Sequence, residues 1–256
     1  MTQGELTLSR ARGAKAQKRI TAVPSVAHEN TINFYPNART QQRTVELRPK
    51  TLGQERLILD LLDDSQHIVV ATGPAGTGKT YLAMLAAIRA LKAGHCERLI
   101  LTRPAVGVED ERHGFLPGDI NQKMEPWTRP LFDVMREYYH PRDITRMLDD
   151  GVIEISPLAY MRGRTFKNAW IVADEMQNAT PAQMKMLLSR IGEESKIIVT
   201  GDVEQADRRA NQNGLLDLCE RLKTQRVNGL SLIEMSRQDI QRHPIIESVL
   251  EMYSDI

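Results

Sequence analysis

Residues 73–80 constrain the fold more than any other part of the chain. They read Gly-Pro-Ala-Gly-Thr-Gly-Lys-Thr and match the pattern G-x-x-x-x-G-K-[S/T] in full. A short apolar segment precedes these residues and an Ala/Leu-rich segment follows them. Since this loop type aims backbone N–H groups and a helix N-terminus at phosphate, we predict a P-loop that joins a strand to a helix. The alternative is a glycine-rich turn that binds nothing.

The residue types of the loop predict separate roles in binding a nucleoside triphosphate. Lys79 reaches the outer phosphates, and the Thr80 hydroxyl ligates Mg²⁺. The other predicted nucleotide contacts come from the rest of the loop and the first turn of the helix: Gly73, Pro74, Ala75, Gly76, Thr77, Gly78 and Tyr81.

Two carboxylates follow a second apolar segment at residues 169–173. A P-loop needs an acidic partner at the end of another strand to hold Mg²⁺, and we assign this role to Asp174. Glu175 is placed to polarise a water, which is typical of P-loop enzymes that hydrolyse the nucleotide. The alternative is a solvated Asp-Glu turn.

A third apolar segment, residues 197–200, also runs into polar residues. Ligands of open α/β sheets bind at the carboxyl ends of the strands. Gln205 can therefore sense the terminal phosphate or orient the attacking water. Asp202 either lines the same site or caps a local turn.

The whole chain alternates short apolar segments with helical patterns, which favours a parallel sheet with helices on both faces. Strands are predicted at residues 67–72, 98–102, 153–155, 170–173, 196–200 and 230–234. Helices are predicted at residues 52–62, 80–92, 131–139, 181–191 and 215–222, and residues 106–130 are predicted to be irregular. The fold class is therefore α/β, with one P-loop core in the chain.

Positive charge is concentrated near the N-terminus. Residues 1–50 hold nine Lys/Arg and three Asp/Glu, whereas the remaining residues hold 25 and 30. Residues 1–45 are predicted to be a basic, disordered tail, and residues 46–256 to be the folded domain. The apolar content of 41% is ordinary for a globular protein.

Other composition features exclude several classes of site. Cys96 and Cys219 lie far apart without metal-binding spacing, so we expect interior thiols in a reducing compartment. No two histidines are spaced as zinc ligands on a helix. No segment resembles a membrane span or a secretory signal, so no membrane partner and a cytoplasmic location are expected.

Four further segments resemble the PhoH family, the phosphate-starvation-inducible ATPases related to superfamily 1 helicases. They are residues 114–119 (Gly-Phe-Leu-Pro-Gly-Asp), 160–165 (Tyr-Met-Arg-Gly-Arg-Thr), 174–178 (Asp-Glu-Met-Gln-Asn), and 200–202 (Thr-Gly-Asp) together with Gln205 and Asp207. The resemblance covers about residues 51–250. The chain departs from the family pattern at Met176, at Arg208-Arg209 and at Asn213.

The resemblance implies a RecA/helicase-like P-loop NTPase with a single ATPase core. It implies ATP and Mg²⁺ as ligands, Gln54 as an adenine contact, and assembly into a homo-oligomeric ring, expected to be a hexamer. Family members are linked to RNA metabolism, so RNA or another single-stranded nucleic acid and an RNA-processing nuclease are expected partners, and RNA helicase activity is a further expectation.

Four arginines are candidates for contacts with phosphate. Arg103 follows the second strand and either contacts nucleic acid or closes a structural ion pair. Arg162 and Arg164 are candidates both for nucleic-acid contact and for an arginine finger that reaches a neighbouring subunit's nucleotide. Arg242 is the preferred finger because it lies beyond the last predicted strand and precedes His243, as in the family's Arg-His pattern.

The leading functional hypothesis is an ATPase coupled to RNA. The first alternative is an ATP-dependent switch that acts on a protein partner without nucleic acid. The second is a small-molecule kinase, which would need a substrate lid and would not require Glu175 after the magnesium aspartate.

Overall fold

The computed structural model describes residues 44–104, 120–205 and 213–242, together with Ile245 and Met252. Side chains of the helix that begins at residue 120 are described from Thr128 onward. The chain divides into two units, residues 1–37 and 38–256, and all described residues belong to the second. The predicted basic tail lies outside the described residues except for its last two positions.

Strands and helices alternate along the described chain. The six strands are β1 (Ile68–Thr72), β2 (Arg98–Thr102), β3 (Ile153–Ile155), β4 (Ala169–Ala173), β5 (Lys196–Gly201) and β6 (Leu230–Glu234). The six α-helices are α1 (Leu52–Leu62), α2 (Lys79–Ala93), α3 (Ile120–Arg136), α4 (Pro141–Asp149), α5 (Pro181–Leu188) and α6 (Gly214–Thr224). Short 3-10 helices occupy Leu158–Met161, Met176–Asn178 and Arg237–Asp239.

All six strands pair in parallel, in the order β3-β2-β4-β5-β1-β6. Strand β5 separates β1, which leads into the P-loop, from β4, which leads into Asp174. This order brings the carboxyl ends of β1, β5 and β4 side by side at one edge of the sheet. Residues that follow these three strands can therefore share one site.

Helices cover both faces of the sheet. Helices α5 and α6 pack over one apolar layer that includes Val70, Ile171 and Val199. Side chains that alternate with these, such as Val69 and Ile198, are also fully buried. Helix α2 packs on β2, β4 and β5 and is flanked by α1 and α3. The predicted α/β fold with a parallel sheet is therefore confirmed.

Three helices differ clearly from the predictions, and the smallest of these differences is that α5 ends at Leu188 instead of at residue 191. Helix α3 begins at Ile120 and continues across Pro126 and Pro130, where the sequence predicted an irregular segment. Its apolar residues Leu131 and Met135 are fully buried, and their burial offsets the hydrogen bonds that proline cannot form. Helix α4 was not predicted, because most of its residues are polar.

The start of α4 nevertheless has local signals. His140 precedes the helix, and its side chain accepts a hydrogen bond from the Arg142 N–H at 3.2 Å. Pro141 occupies the first position, where its missing N–H costs nothing. Only Ile144 and Met147 are buried, so the apolar stripe of this nine-residue helix is short. No helix in the described part of the chain combines the length and apolar character needed to cross a membrane.

Candidate nucleotide-binding site

The P-loop lies between β1 and α2, and its side chains form hydrogen bonds to its own backbone carbonyls. Gly76 and Gly78 have φ values of 87° and 85°, a region that favours glycine. The Thr77 hydroxyl donates a hydrogen bond to the Pro74 carbonyl at 3.0 Å and braces the loop from within. Helix α2 then starts at Lys79, so its positive end faces the loop.

Lys79 is buried and points into the loop. Its Nζ atom donates to the carbonyl oxygens of Gly73 and Pro74 at 2.6 and 2.8 Å, and to the Thr77 hydroxyl at 3.2 Å. Burial lowers the pKa of Lys79, whereas the charges of Asp202 and Glu175 act in the opposite direction. A phosphate oxygen can replace these loop oxygens as the partner of the ammonium group.

Asp174 connects three segments at the carboxyl edge of the sheet. Its Oδ1 atom accepts hydrogen bonds from the hydroxyls of Thr80, at 2.7 Å, and of Thr200. Its Oδ2 atom accepts from Arg103, with Nε at 3.0 Å. The structure thus brings together Thr80 and Asp174, the two residues predicted to hold Mg²⁺.

A hydroxyl and a carboxylate beside a P-loop fit the needs of Mg²⁺, which prefers oxygen ligands and keeps several waters and substrate phosphates. Within the described residues, no group of three or more His, Cys, Asp or Glu side chains could form a complete metal cage by itself. The oxygen donors of Thr80 and Asp174 suit a cation that takes its other ligands from water and phosphate.

Glu175 follows Asp174 and turns toward the open cleft. Its φ of 57° places it in the left-handed region and directs the chain into the 3-10 helix Met176–Asn178. The side chain is exposed, and its Oε2 atom accepts a hydrogen bond from Gln177 Nε2 at 2.6 Å. A water in the cleft can therefore reach the carboxylate.

Gln177 is a positioning residue that the sequence predictions did not assign. It is buried, and its Oε1 atom accepts from the Asp202 N–H at 3.2 Å while its amide group holds Glu175. A Cβ on Gly201 would lie 2.6 Å from this oxygen, so only glycine leaves room for Gln177. Gln177 therefore ties Glu175 to the end of β5.

Most predicted site residues line one open cleft of about 280 Å³. Its lining consists of Ala75, Gly76, Gly78, Lys79, Thr80, Tyr81, Asp174, Glu175, Gly201, Asp202 and Gln205. Asp202 also caps its own turn, because its Oδ1 atom accepts from the Glu204 N–H at 3.0 Å. The Tyr81 hydroxyl donates a hydrogen bond to Glu137 at 3.1 Å. Burial, and to a smaller extent the charge of Glu137, raises the pKa of Tyr81 to about 12.

Gln54 supports the P-loop from α1. Its Nε2 atom donates to the Thr77 carbonyl at 3.0 Å, and its Oε1 atom accepts from the Lys50 N–H at 2.8 Å. Both ends of this buried amide are thus bonded to the protein backbone. The adenine contact expected for Gln54 stays a prediction.

The candidate arginines have different surroundings. Arg103 forms the ion pair with Asp174, the structural alternative considered for it. Arg164 pairs with Glu154, whose pKa it lowers, and its guanidinium lies 4.5 Å above the Phe166 ring. Arg162 is exposed. Asp207 and Arg208-Arg209, residues 114–119 and His243 lie outside the described residues.

Arg242 lies against the P-loop of its own chain. A Cβ placed on Gly76 would be 2.3 Å from Arg242 Nε. The preceding Gln241 N–H donates to the Gly76 carbonyl at 2.9 Å. The predicted contact with a neighbouring subunit is not tested by a single chain.

We expect Arg103→Ala to lower the free energy of unfolding by about 2 kcal/mol, measured by urea unfolding without nucleotide. The Asp174 carboxylate would keep hydroxyl donors but lose its counter-charge while buried. The control is Arg162→Ala, at an exposed position. We expect this variant to change the free energy of unfolding by less than about 0.5 kcal/mol. Equal stability of the two variants would show that the ion pair adds nothing.

The parallel sheet, the P-loop and the carboxylate at the end of β4 together define a P-loop nucleotide-binding protein of the α/β class. A family model described as "PhoH-like protein" matches residues 46–254. The chain belongs to this family.

Several relatives carry the same family name. The chain is 42% identical over 234 residues to a PhoH-like protein of Bacillus subtilis (strain 168), covering 89% of this chain and 72% of that protein. It is 43% identical over 216 residues to a PhoH-like protein of Synechocystis sp., covering 84% of this chain and 64% of that protein. It is 41% identical over 194 residues to Protein PhoH of Escherichia coli (strain K12), covering 75% of this chain and 54% of that protein.

Among solved structures, the fold is distantly similar to the DUF1998 helicase MrfA, in a crystal structure with bound DNA. The sequence identity is 14% and the TM-score is 0.43, over 72% of this chain and 25% of that one.

Proposed function

We propose that the protein binds ATP with Mg²⁺ and hydrolyses it to ADP and phosphate. One observation supports this best: the hydroxyl of Thr80 in the P-loop helix bonds to Asp174, and Glu175 beside it faces the same cleft. A P-loop, an oxygen pair for Mg²⁺ and an accessible carboxylate are the elements that water attack on a terminal phosphate requires.

Each residue has a separate part in this reaction. The loop amides and Lys79 bind the phosphates. Thr80 and Asp174 would hold Mg²⁺, which would neutralise phosphate charge. Glu175 orients the attacking water and accepts its proton as the new P–O bond forms and the bond to ADP breaks. The carboxylate is kept in place by Gln177. A kinase would exclude water here, so an exposed Glu175 favours hydrolysis.

We further propose that hydrolysis is coupled to single-stranded RNA. The support is threefold: the resemblance to helicase-related ATPases, the basic charge of residues 1–45, and an exposed aromatic–arginine pair, Tyr160 and Arg162. Tyr160 is 64% exposed and follows the carboxyl end of β3. Exposed aromatic rings stack on bases, and arginines contact phosphates, in proteins that bind single strands.

The decisive experiment compares ATP turnover by the full chain with and without single-stranded RNA, and with single-stranded DNA. Stimulation by RNA supports the coupling. Turnover that is unchanged by either nucleic acid would favour the alternative, an ATP-dependent switch that acts on a protein partner. An absence of turnover under all conditions would contradict the ATPase proposal itself.

Neutralising the tail is expected to reduce the salt dependence of RNA binding. Residues 1–45 hold seven Lys/Arg, and each phosphate contact adds about 0.7 to the slope of log K against log[salt] for single strands. Replacing all seven with Gln should lower this slope by as much as about 5, as measured by fluorescence anisotropy in a salt series. Lys185→Gln, an exposed change on α5, is the control. An unchanged slope would mean that the tail does not contact RNA.

We also propose that the chains assemble in the cytoplasm into a ring, with six subunits as the expected number and an RNA-processing nuclease as a partner. The support is the one P-loop core that the described residues form, whose open cleft a neighbouring subunit would complete. Native mass spectrometry with and without ATP measures the number of subunits.

A further inference from the structure

Residues 235–242 run from the end of β6 to the P-loop, and we call this segment the strap. At its start, the Met235 N–H donates to the Thr72 carbonyl at 2.7 Å, beside the first P-loop residue. In its middle, the Asp239 carboxylate accepts from the Gly53 N–H at 3.1 Å. The strap is therefore fixed both to the end of β1 and to the start of α1.

Asp239 also stabilises the strap internally. Its carboxylate accepts from the Ser236 N–H at 2.8 Å, and Ser236 Oγ in turn accepts from the Gln238 N–H at 3.3 Å. A Cβ on Gly53 would lie 2.5 Å from Asp239, so α1 and the strap approach too closely for a side chain at this position. The strap thus has little freedom before it reaches the P-loop.

The end of the strap crosses the P-loop at Gly76. The Gln241 N–H bonds to the Gly76 carbonyl, and an added Cβ on Gly76 would be 2.3, 2.9 and 3.0 Å from Arg242 Nε, Cγ and Cδ. The side chain of Arg242 therefore packs directly on the loop backbone. Its position is set by contacts within one chain.

Two cations therefore flank the same short loop. Burial lowers the pKa of Lys79, and the charge of Arg242 acts in the same direction. Among the described residues, no carboxylate forms an ion pair with Arg242. The carboxylates of Asp202, Glu175 and Asp174 act on Lys79 more strongly than Arg242 does. A polyphosphate beside the loop would attract both cations.

We propose that Arg242 binds the polyphosphate of a nucleotide held by the P-loop of its own chain. This inference rests on the nucleotide binding proposed above and differs from the expected finger, which would act on a neighbouring subunit. The strap holds the Arg242 side chain against the backbone of Gly76, where Arg242 is exposed. Arg242 is then a nucleotide-binding residue that acts within one subunit.

The first test measures the affinity of the full chain for the non-hydrolysable β,γ-imido analogue of ATP, with Mg²⁺, and for AMP. Arg242→Ala is expected to weaken binding of the analogue about tenfold or more and that of AMP by less than about twofold, because a charge-assisted contact to the outer phosphates is lost. Arg242→Lys should retain part of the affinity. Unchanged affinity for the analogue, or an equal loss for AMP, would overturn the proposal.

Two controls separate this effect from damage to the fold. Gln241→Ala alters the neighbouring exposed side chain but keeps the backbone bond to Gly76, so its affinity should match the wild type. Arg226→Ala removes an exposed arginine beyond the end of α6 and should also have no effect. An equal loss in either control would show that Arg242 acts only through structure or net charge, which would also overturn the proposal.

The second test distinguishes a contact within one chain from a contact between chains. The Arg242→Ala protein is co-expressed with a Lys79→Met protein under two affinity tags, and material that carries both tags is purified. A contact within the chain predicts that analogue binding by the mixed assembly stays weak. Recovery of wild-type affinity would place Arg242 on a neighbouring nucleotide and overturn the proposal. A wild-type chain that stays monomeric with the analogue bound, by native mass spectrometry, would leave only the contact within the chain.

Failure of this inference can be told apart from failure of the proposed function. If the wild type binds the analogue but does not hydrolyse ATP, the ATPase proposal fails while the affinities still decide the role of Arg242. If the wild type turns over ATP and Arg242→Ala binds normally, only the role of Arg242 is wrong.

Discussion

Replacing Glu175 with Gln is expected to lower the rate of ATP turnover by about 100-fold or more and to leave binding of Mg²⁺ and ATP intact. A glutamine has the size of glutamate and still offers an oxygen to Gln177, but it cannot accept a proton from water. The effect should therefore fall on the chemical step, since water activation matters only in the transition state. Phosphate release measures turnover, and equilibrium binding of the ATP analogue measures affinity.

The matched control is Glu204→Gln. Glu204 is an exposed carboxylate on the turn after β5 and does not line the cleft. We expect its loss to change turnover by less than about threefold, as for surface substitutions away from the chemistry. Parental turnover by the Glu175→Gln protein would show that another group activates the water, and Asp202 is the buried carboxylate of the cleft other than the magnesium partner Asp174.

Replacing Lys79 with Met is expected to remove most of the stabilisation that a nucleotide provides. A ligand at 100 times its dissociation constant stabilises the folded state by about 2.7 kcal/mol. Methionine keeps the apolar part of the side chain but has no ammonium group. In the structure this group bonds to two loop carbonyls, and it would bond to phosphate oxygens when a nucleotide is present. Thermal unfolding with and without the Mg²⁺-bound ATP analogue measures the difference.

Lys185→Ala is the control for Lys79→Met, because Lys185 is an exposed lysine on α5. It should keep the full nucleotide-dependent shift in melting temperature. The Lys79→Met protein must also unfold cooperatively without nucleotide, which shows that the domain still folds. A shift of wild-type size in a folded Lys79→Met protein would contradict the role assigned to the ammonium group.

The local parts of the site were predictable from the sequence. A P-loop is a contiguous motif whose glycines and lysine act within eight residues, and Asp174 is marked by the apolar strand before it. The structure places them at the ends of β1 and β4, on either side of β5, where the Thr80 hydroxyl bonds to Asp174. The predicted start of a helix at residue 181 is also confirmed, and the structure shows that Thr180 and Gln183 form a capping box there.

Long-range pairings were less predictable. Arg103 bonds to the Asp174 carboxylate because β2 and β4 are neighbours in the sheet. The sequence does not give the strand order, so it left both a phosphate and a carboxylate as possible partners of Arg103. Gln177 was missed for a related reason. Its direction follows from the left-handed backbone at Glu175 and from the space above Gly201, and neither can be seen in the spacing of residues.

The position of β5 between β1 and β4 ties nucleotide binding to the completion of folding. Asp174 is held by hydroxyls that come from residues 80 and 200, so its geometry requires contacts across 120 positions of the chain. A nascent chain that ends before Thr200 has the whole phosphate loop but not the hydroxyl that fixes its acidic partner. We therefore expect the nucleotide to bind the fully assembled sheet and not partly folded chains. Amide hydrogen exchange of β1, β4 and β5 should then slow together when the nucleotide binds.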